Sequence, residues 1–240
     1  MSIKLRIGKL IGGGINSLVK FNYKSVPFIP NGRLLPLDLK RANIYPKVIF
    51  DVGANIGQTA NYFVEHFPDS EIYCFEPVKP TYQELISNIR SKNIRTFNEG
   101  LGSTIQELTI HKNNSSGSSS LMGDDGRFLN TEIVKVNTAQ NFLSQHQIKD
   151  VDLLKMDVEG YELEVLKGFG SLLKTNVKMI YAEVGFDKND PYKTYISDLL
   201  ELTRDYGFIT SGFYEPYRWG KGKLNVFYNV LLVNTTLIDV

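Results

Sequence analysis

Two groups of carboxylates, each set at the end of an apolar run, could do chemistry in this chain. The first lies in Val48-Ile49-Phe50-Asp51-Val52-Gly53-Ala54-Asn55-Ile56-Gly57 and in Glu71-Ile72-Tyr73-Cys74-Phe75-Glu76-Pro77. An apolar run, a glycine turn and helical spacing over Ile56, Ala60, Phe63 and Val64 predict a strand that turns sharply into a helix. That geometry presents backbone N–H groups to an anionic part of a ligand. Gly53 and Gly57 let a ligand come close to the chain. Glu76 closes a second strand 25 residues after Asp51, near the roughly 20-residue offset at which an acid takes the hydroxyl protons of a ribose. Asp51, Gly53, Asn55, Gly57 and Glu76 are therefore expected to surround a nucleoside.

The second group is Lys155-Met156-Asp157-Val158-Glu159-Gly160-Tyr161-Glu162, with Glu183 near the end of a later strand. Alternation puts Lys155, Asp157 and Glu159 on one face until the strand gives way. Clustering three carboxylates and a lysine in a core costs free energy without a functional return. The chemistry such a group offers is proton acceptance by a carboxylate, with a lysine to polarise a substrate or keep an acid ionised.

The glycine spacing narrows the nucleoside. A dinucleotide fingerprint reads G-x-G-x-x-G, and Gly53-Ala54-Asn55-Ile56-Gly57 does not match it. An acid two residues before the first glycine points instead to S-adenosyl-L-methionine. The broad pattern of its methyltransferases is acid-x-Gly-x-Gly-x-Gly, and Asn55 stands here at the middle glycine. Loops after the strands of an open parallel sheet converge on one crevice. Ile94 to Asn98 reads as a third strand, so Asn98 or Glu99 is expected to meet the adenine, a plain turn being the alternative.

The remaining elements must position these groups. Residues 25–47 hold Pro27, Pro30, Pro36, Pro46 and Gly32 and read as irregular chain leading to the first strand. A helix is predicted from Pro80-Thr81, with Tyr82, Leu85, Ile86 and Ile89 on one face. Glu107 to Lys112 and Glu132 to Asn137 read as strands. The Ser/Gly/Asn run between them is a flexible loop or a lid, with His111 at its edge as a further catalytic candidate. Thr138 caps a helix reaching Gln145. The run from Val151 and the run from Val177 to Val184 are strands, with helices following from Glu162 and from Tyr192 to Tyr206. Two late strands, the last from Leu224 to Val233, form an antiparallel hairpin at the sheet edge. Tyr214, Tyr217 and Trp219 in this tail either stack on a sugar face or pack among themselves.

Composition bounds the class. A chain of 240 residues, 42% hydrophobic and 22% charged, suits one globular unit. No run approaches the roughly 18 apolar residues of a membrane span. The single cysteine, Cys74, cannot form an intrachain disulfide. A net charge of +1 gives no general pull towards nucleic acid, but residues 1–47 carry nine Lys or Arg and one acid. The expected division is a basic N-terminal arm, 1–46, and a single domain, 47–240. The arm packs over the sheet or the cofactor, or it docks on something anionic such as lipid headgroups or an acidic partner. It lacks the apolar core of a signal peptide. The expected location is cytoplasmic, with peripheral contact at the inner membrane face if the arm docks there.

Together, D-V-G-A-N-I-G-Q-T, F-E-P, the Ser/Gly run and L-L-K-M-D-V-E-G-Y-E-L-E-V-L-K-G resemble the FkbM-type S-adenosyl-L-methionine-dependent methyltransferases over roughly residues 47–235. The resemblance implies an α/β, Rossmann-like class I methyltransferase fold. It would have a seven-stranded, mostly parallel sheet, its last strand antiparallel, with helices on both faces. Asn55 in place of the middle glycine is usual in that family. The implied reaction is O-methylation of a hydroxyl, often on a sugar, a glycan or a secondary metabolite. Methyl transfer is an in-line displacement, so oxygen, methyl and sulfur must be aligned, and a base beside a weakly nucleophilic hydroxyl helps. Asp157 is the expected base or hydroxyl orienter, Glu159 and Glu183 are the runners-up, and Lys155 polarises substrate or pairs with an acid. No metal is expected, since His66, His111 and His146 show no ligand spacing, although Asp157, Glu159 and Glu183 offer oxygen ligands for Mg²⁺. Other classes are a nicotinamide-cofactor oxidoreductase, which the missing fingerprint opposes, and a non-catalytic module, which the retained acids oppose. A nucleic-acid methyltransferase is a third, but no N-P-P-Y-type motif follows the fourth strand, and no nucleic-acid partner is expected.

Overall fold

The computed structural model describes residues 14, 17–20, 22–112, 119–120, 130–219 and 225–239. Helix α1 (Leu35–Arg41) leads into β1 (Val48–Val52), α2 (Gln58–His66), β2 (Glu71–Phe75), α3 (Lys79–Asn88) and β3 (Ile94–Phe97). An insert follows, made of β4 (Gly100–Leu101), β5 (Gln106–Lys112), β6 (Ser119–Ser120) and β7 (Asn130–Asn137). The second half runs α4 (Ala139–His146), β8 (Leu153–Met156), α5 (Glu162–Lys167), α6 (Leu172–Asn176), β9 (Met179–Gly185) and α7 (Ile196–Arg204). The hairpin of β10 (Phe208–Trp219) and β11 (Asn225–Asn234) closes the chain.

The main sheet has seven strands in the order β10-β11-β9-β8-β1-β2-β3. Pairings from β9 to β3 are parallel, and β11 is antiparallel to both its neighbours. This is the class I methyltransferase fold. Alternation along the strands explains why both faces are covered. Phe50, Val52, Tyr73 and Phe75 share one core with Phe142 of α4, Val165 of α5 and Leu199 of α7. Ile49, Ile72, Cys74 and Leu153 share the opposite core with Leu39 of α1, Phe63 of α2 and Leu85 of α3.

Two sequence expectations need correction, and the sheet joined by the insert strands was left open by the sequence. Residues 25–47 are not wholly irregular, because α1 forms among the prolines. Pro36 sits in its first turn, where no N–H is needed, and Leu35 and Leu39 reach the sheet core. The insert strands do not join the main sheet; they form a second sheet in the order β4-β7-β5-β6. Helix α7 begins at Ile196 rather than Tyr192, because the preceding residues cross Gly185, whose N–H donates to the Thr194 carbonyl at 2.9 Å. Residues 113–118 of the Ser/Gly run, the core of the expected lid, lie outside the described residues.

Candidate active site

β1 ends where a side chain no longer fits. Gly53 has φ +75°, and a Cβ there would lie 2.0 Å from the Asp157 carbonyl oxygen. Asn55 follows at φ +48°, a left-handed conformation that asparagine tolerates better than most residues. An asparagine can therefore stand where the broad pattern has glycine. The N–H groups of Gly53, Ala54 and Asn55, at the start of the turn, are already engaged within the protein. Gly53 and Ala54 both donate to the Phe75 carbonyl at 3.0 Å, and Asn55 donates to Glu76 Oε2 at 3.1 Å. Gly57 caps α2 at φ +86°. The turn thus spends its donors on fixing the acid at the end of β2.

Glu76 is held from several sides. The Val78 N–H donates to its Oε1 at 2.9 Å. Asn98 Nδ2 donates to the Glu76 and Pro77 carbonyls, each at 2.9 Å. Burial pushes the Glu76 pKa up to about 7, while the Val78 and Asn55 N–H groups pull it down. Each carboxylate oxygen keeps acceptor capacity for one further hydroxyl proton. The side chain faces a solvent-open cleft of about 790 Å³ whose far wall is made by Val78, Leu101, Ile110 and Tyr161. A polar grip for a diol beside an apolar slot for a flat ring suits the ribose and adenine of S-adenosyl-L-methionine. Asn98 and Glu99 do not line this cleft. Asn98 instead positions Glu76, and Glu99 Oε1 accepts a long bond from Asn137 Nδ2 at 3.5 Å.

The motif on β8 separates rather than clusters. Lys155 turns beneath the β1 turn, 2.8 Å from Asp51 Oδ1 and donating to the Gly53 carbonyl at 3.0 Å. Burial works to lower the Lys155 pKa, but the charges of Asp51 and Asp157 outweigh it and raise it. Asp51, fully buried, and Lys155 are therefore supports under the turn. Among the described residues neither lines this cleft; Lys155 instead lines a second cavity together with Asp157. β8 stops at Met156, and the Asp157 N–H donates to the Val52 carbonyl at 3.1 Å. Glu159 at φ +52° and Gly160 at φ +95° then turn the chain. Glu162 is buried, accepting at Oε1 from the Val158 N–H at 3.0 Å and at Oε2 from the Thr194 hydroxyl.

Lys193, on the loop before α7, went unnoticed in the sequence. Its Nζ lies 2.7 Å from Glu159 Oε2, also contacts Glu183 Oε1, and sits 4.8 Å from the centre of the Phe227 ring. Burial pushes the Glu183 pKa up to about 7; Asp157 adds to this and Lys193 opposes it. Burial works to lower the Lys193 pKa, and the two glutamates raise it instead. Lys193 thus fills the position between two of the oxygens considered for a cation. Asp157 differs from its neighbours: its exposed carboxylate makes no hydrogen bond or ion pair among the described residues, and it lines the cleft.

The other candidates lie away from this centre. His66 is buried against Tyr62, and His146 stacks on Phe142. His111 belongs to β5. Tyr214 is buried and donates to Asp38 Oδ2 at 2.9 Å, while Tyr217 packs on Phe227. The Trp219 side chain lies outside the described residues. No helix among the described residues is long and apolar enough to cross a membrane.

Known proteins agree with the geometry. Residues 51–210 match the methyltransferase FkbM domain. The chain is 24% identical to the AMB antimetabolite synthetase AmbE of Pseudomonas aeruginosa, over 68% of this chain and 10% of that protein. It is 26% identical to the hexuronic acid methyltransferase AglP of Haloferax volcanii, over 68% of this chain and 69% of that protein. It is 25% identical to the 2-O-methyltransferase NoeI of Sinorhizobium fredii, over 57% of this chain and 62% of that protein. The chain therefore spans a tenth of the length of AmbE and about two thirds of the other two. The domain is an S-adenosyl-L-methionine-dependent methyltransferase domain, and Glu76 and Asp157 lie on the walls of one cleft. With the family match extending over most of its length and the strand order to go with it, the chain belongs to the FkbM methyltransferases.

Proposed function

We propose that the protein methylates a hydroxyl oxygen on a sugar, a glycan or a comparable secondary metabolite, with Asp157 as the base. The reading draws support from AglP and NoeI, named as a hexuronic acid methyltransferase and a 2-O-methyltransferase. One observation carries it: of Asp157, Glu159, Glu162 and Glu183, Asp157 alone is without a hydrogen-bonding partner among the described residues. S-adenosyl-L-methionine, when bound, supplies an electrophilic methyl group on a sulfonium. Glu76 accepts hydrogen bonds from the ribose hydroxyls and so sets the depth of the nucleoside. Asp157 accepts a hydrogen bond from the acceptor hydroxyl, aims its oxygen, and takes the proton as the new O–C bond forms. Glu159 and Glu183, held by Lys193, shape the surrounding charge, and Lys155 keeps Asp51 and the turn in place.

The catalytic unit is assigned to residues 47–240 with α1 docked on it. The arm contributes packing, since Lys40 Nζ donates to the Val19 carbonyl at 3.0 Å and Arg41 to the Val26 carbonyl at 3.0 Å. Labelled-methyl transfer from S-adenosyl-L-methionine to a panel of hydroxyl acceptors tests the reading. Asp157→Asn is expected to lose about 10²-fold or more in turnover while binding S-adenosyl-L-homocysteine as the wild type does. Wild-type turnover by that variant would remove Asp157 from the role. A calorimetric blank with both methyl donor and product on folded protein would remove the reading itself.

A further inference from the structure

Asp157 lines a second cavity as well as the nucleoside cleft, and among the described residues it is the one found in both linings. This cavity holds about 880 Å³ and opens on the face covered by α1 and α2. Leu34, Leu35 and Pro36 form an apolar wall, and Tyr181, Asn229 and Glu215 form a polar one. An apolar cavity with a few convergent polar groups, meeting the cofactor cleft at the base, is where a second substrate belongs.

Glu215 is placed there by an interruption of its strand. The register of β10 against β11 shifts between Tyr214 and Tyr217, and Glu215 takes φ +52°. Bulges of this kind re-aim side chains beside active sites, and non-glycine residues persist in that conformation only where their surroundings impose it. Glu215 Oε2 accepts from Asn229 Nδ2 at 2.8 Å and from the Tyr181 hydroxyl at 3.3 Å. Its Oε1 accepts no hydrogen bond among the described residues. Burial and the Glu215 charge raise the phenol pKa values of Tyr181 and Tyr62, so both remain neutral.

Among the described residues the charge of the cavity is one-sided. Those that line it include the carboxylates of Asp157 and Glu215 and one cation, Lys155, which is already engaged by Asp51 and the Gly53 carbonyl. Leu34, Leu35, Pro36, Glu215 and Asn229 also fall outside residues 51–210, the stretch that matches the family. The cavity is thus lined partly by the stretch that matches the family, including Asp157, and partly by segments that flank it.

We propose that this cavity seats the acceptor and that Glu215 selects a polyhydroxylated sugar without a free carboxylate, neutral or amino-bearing. A hydroxyl or ammonium of that sugar, away from the reacting oxygen, donates to Glu215 in a charge-assisted hydrogen bond. A uronic acid would bring a third negative charge against two. The inference rests on the hydroxyl-methylating reading above and narrows its substrate class.

The test uses the full chain saturated with S-adenosyl-L-homocysteine. Methyl glycosides of neutral hexoses, 6-deoxyhexoses, hexosamines and uronic acids are titrated by ligand-observed NMR. At least one neutral or amino glycoside is expected to bind about tenfold or more tighter than every uronic glycoside, and Glu215→Gln to weaken it about tenfold. Affinity for S-adenosyl-L-homocysteine should stay within about twofold of wild type in that variant. Leu34→Trp, which fills the cavity from its other wall, is expected to block the glycoside and spare the nucleoside, and it stands in if Glu215→Gln does not fold. Preference for a uronic glycoside, or no glycoside bound to protein that binds the nucleoside, would overturn the proposal. So would a tenfold loss of nucleoside affinity in Glu215→Gln, which would give the cavity to the cofactor's amino-acid tail. Failure of folded wild-type protein to bind the nucleoside at all is a separate result, and it strikes the methyl-transfer reading first.

Discussion

Glu76 is poised to titrate in the neutral range. With a pKa pushed up to about 7, it is partly protonated at neutral pH before any ligand arrives. Ribose hydroxyls donate to the ionised form, so binding lowers the pKa and releases a proton. Affinity for S-adenosyl-L-homocysteine should therefore rise as pH is taken from about 6 to 8. Calorimetry across that range checks it. Glu76→Gln should flatten the dependence and weaken binding about 10-fold to 100-fold. The same shift has a stability consequence of opposite sense. A carboxyl whose folded pKa lies above its unfolded value contributes fully below the unfolded value, near 4.5, and loses that contribution as pH rises through about 7. The thermal midpoint of the unliganded protein should fall across this window, and less steeply in Glu76→Gln.

Lys193 gives a second prediction at the same scale. Lys193→Met leaves Glu159 and Glu183 without their counter-ion beside Asp157. Breaking such a partly buried network should cost about 3 kcal/mol in denaturant unfolding. The acid limb of the pH–rate profile should also move up by about one unit, because ionising each carboxylate becomes harder. A lysine that only filled space would leave that limb in place. Glu76 and Asp157 could be read from the sequence because each ends an apolar strand. Lys193 could not, since it lies on a loop ten residues beyond Glu183 and meets the two acids only through the fold. The pairing of Asp51 with Lys155 was hidden for a related reason. They are direct neighbours because β1 and β8 pair, although they lie 104 positions apart.

At the scale of elements, the turn between β1 and α2 governs the cleft. Gly53 is pressed against the Asp157 carbonyl, so the turn after β1 and the end of β8 move together. Gly53→Ala should force them apart, lowering stability by about 3 kcal/mol or more and weakening nucleoside binding through the displaced Asn55 N–H. Asn55 tests a different cause, backbone conformation. Asn55→Gly should unfold within about 0.5 kcal/mol of wild type, whereas Asn55→Val should cost about 2 kcal/mol, because a branched residue resists the left-handed region. Chemical denaturation of the three variants separates crowding from strain. Strand–turn–helix units were legible because apolar runs, glycines and helical spacing coincide in them. Helix α1 was not, since Pro36 looks like a breaker until its place in the first turn is known. The small sheet escaped notice because alternation in β5 and β7 marks strands without saying which sheet they join.

For the molecule as a whole, the decisive question is whether the basic arm is an appendage or part of the body. Charge counting favours an appendage, because a +8 segment set before an acidic remainder suggests something made to dock elsewhere. Packing argues otherwise. Leu35 and Leu39 are 4% and 3% exposed and sit in the core that also holds Ile49, Phe63 and Leu231. Leu37 points the other way, into a cluster with Val19, Val26 and Ile29. Asp38 accepts from the Tyr214 hydroxyl at 2.9 Å and so ties α1 to the terminal hairpin. Burying a leucine contributes about 2 kcal/mol, so Leu35 and Leu39 alone account for about 4 kcal/mol of a total that is rarely above 15. Removing residues 1–46 should therefore lower the thermal midpoint by about 10 °C or more and expose apolar surface to a dye such as ANS. It should also abolish glycoside binding, since the wall of Leu34, Leu35 and Pro36 goes with it. An appendage would leave all three measurements as they are in the full chain while weakening attachment to anionic vesicles. The two outcomes are opposite in every readout, so one truncation decides between a docking arm and a segment packed into the catalytic body.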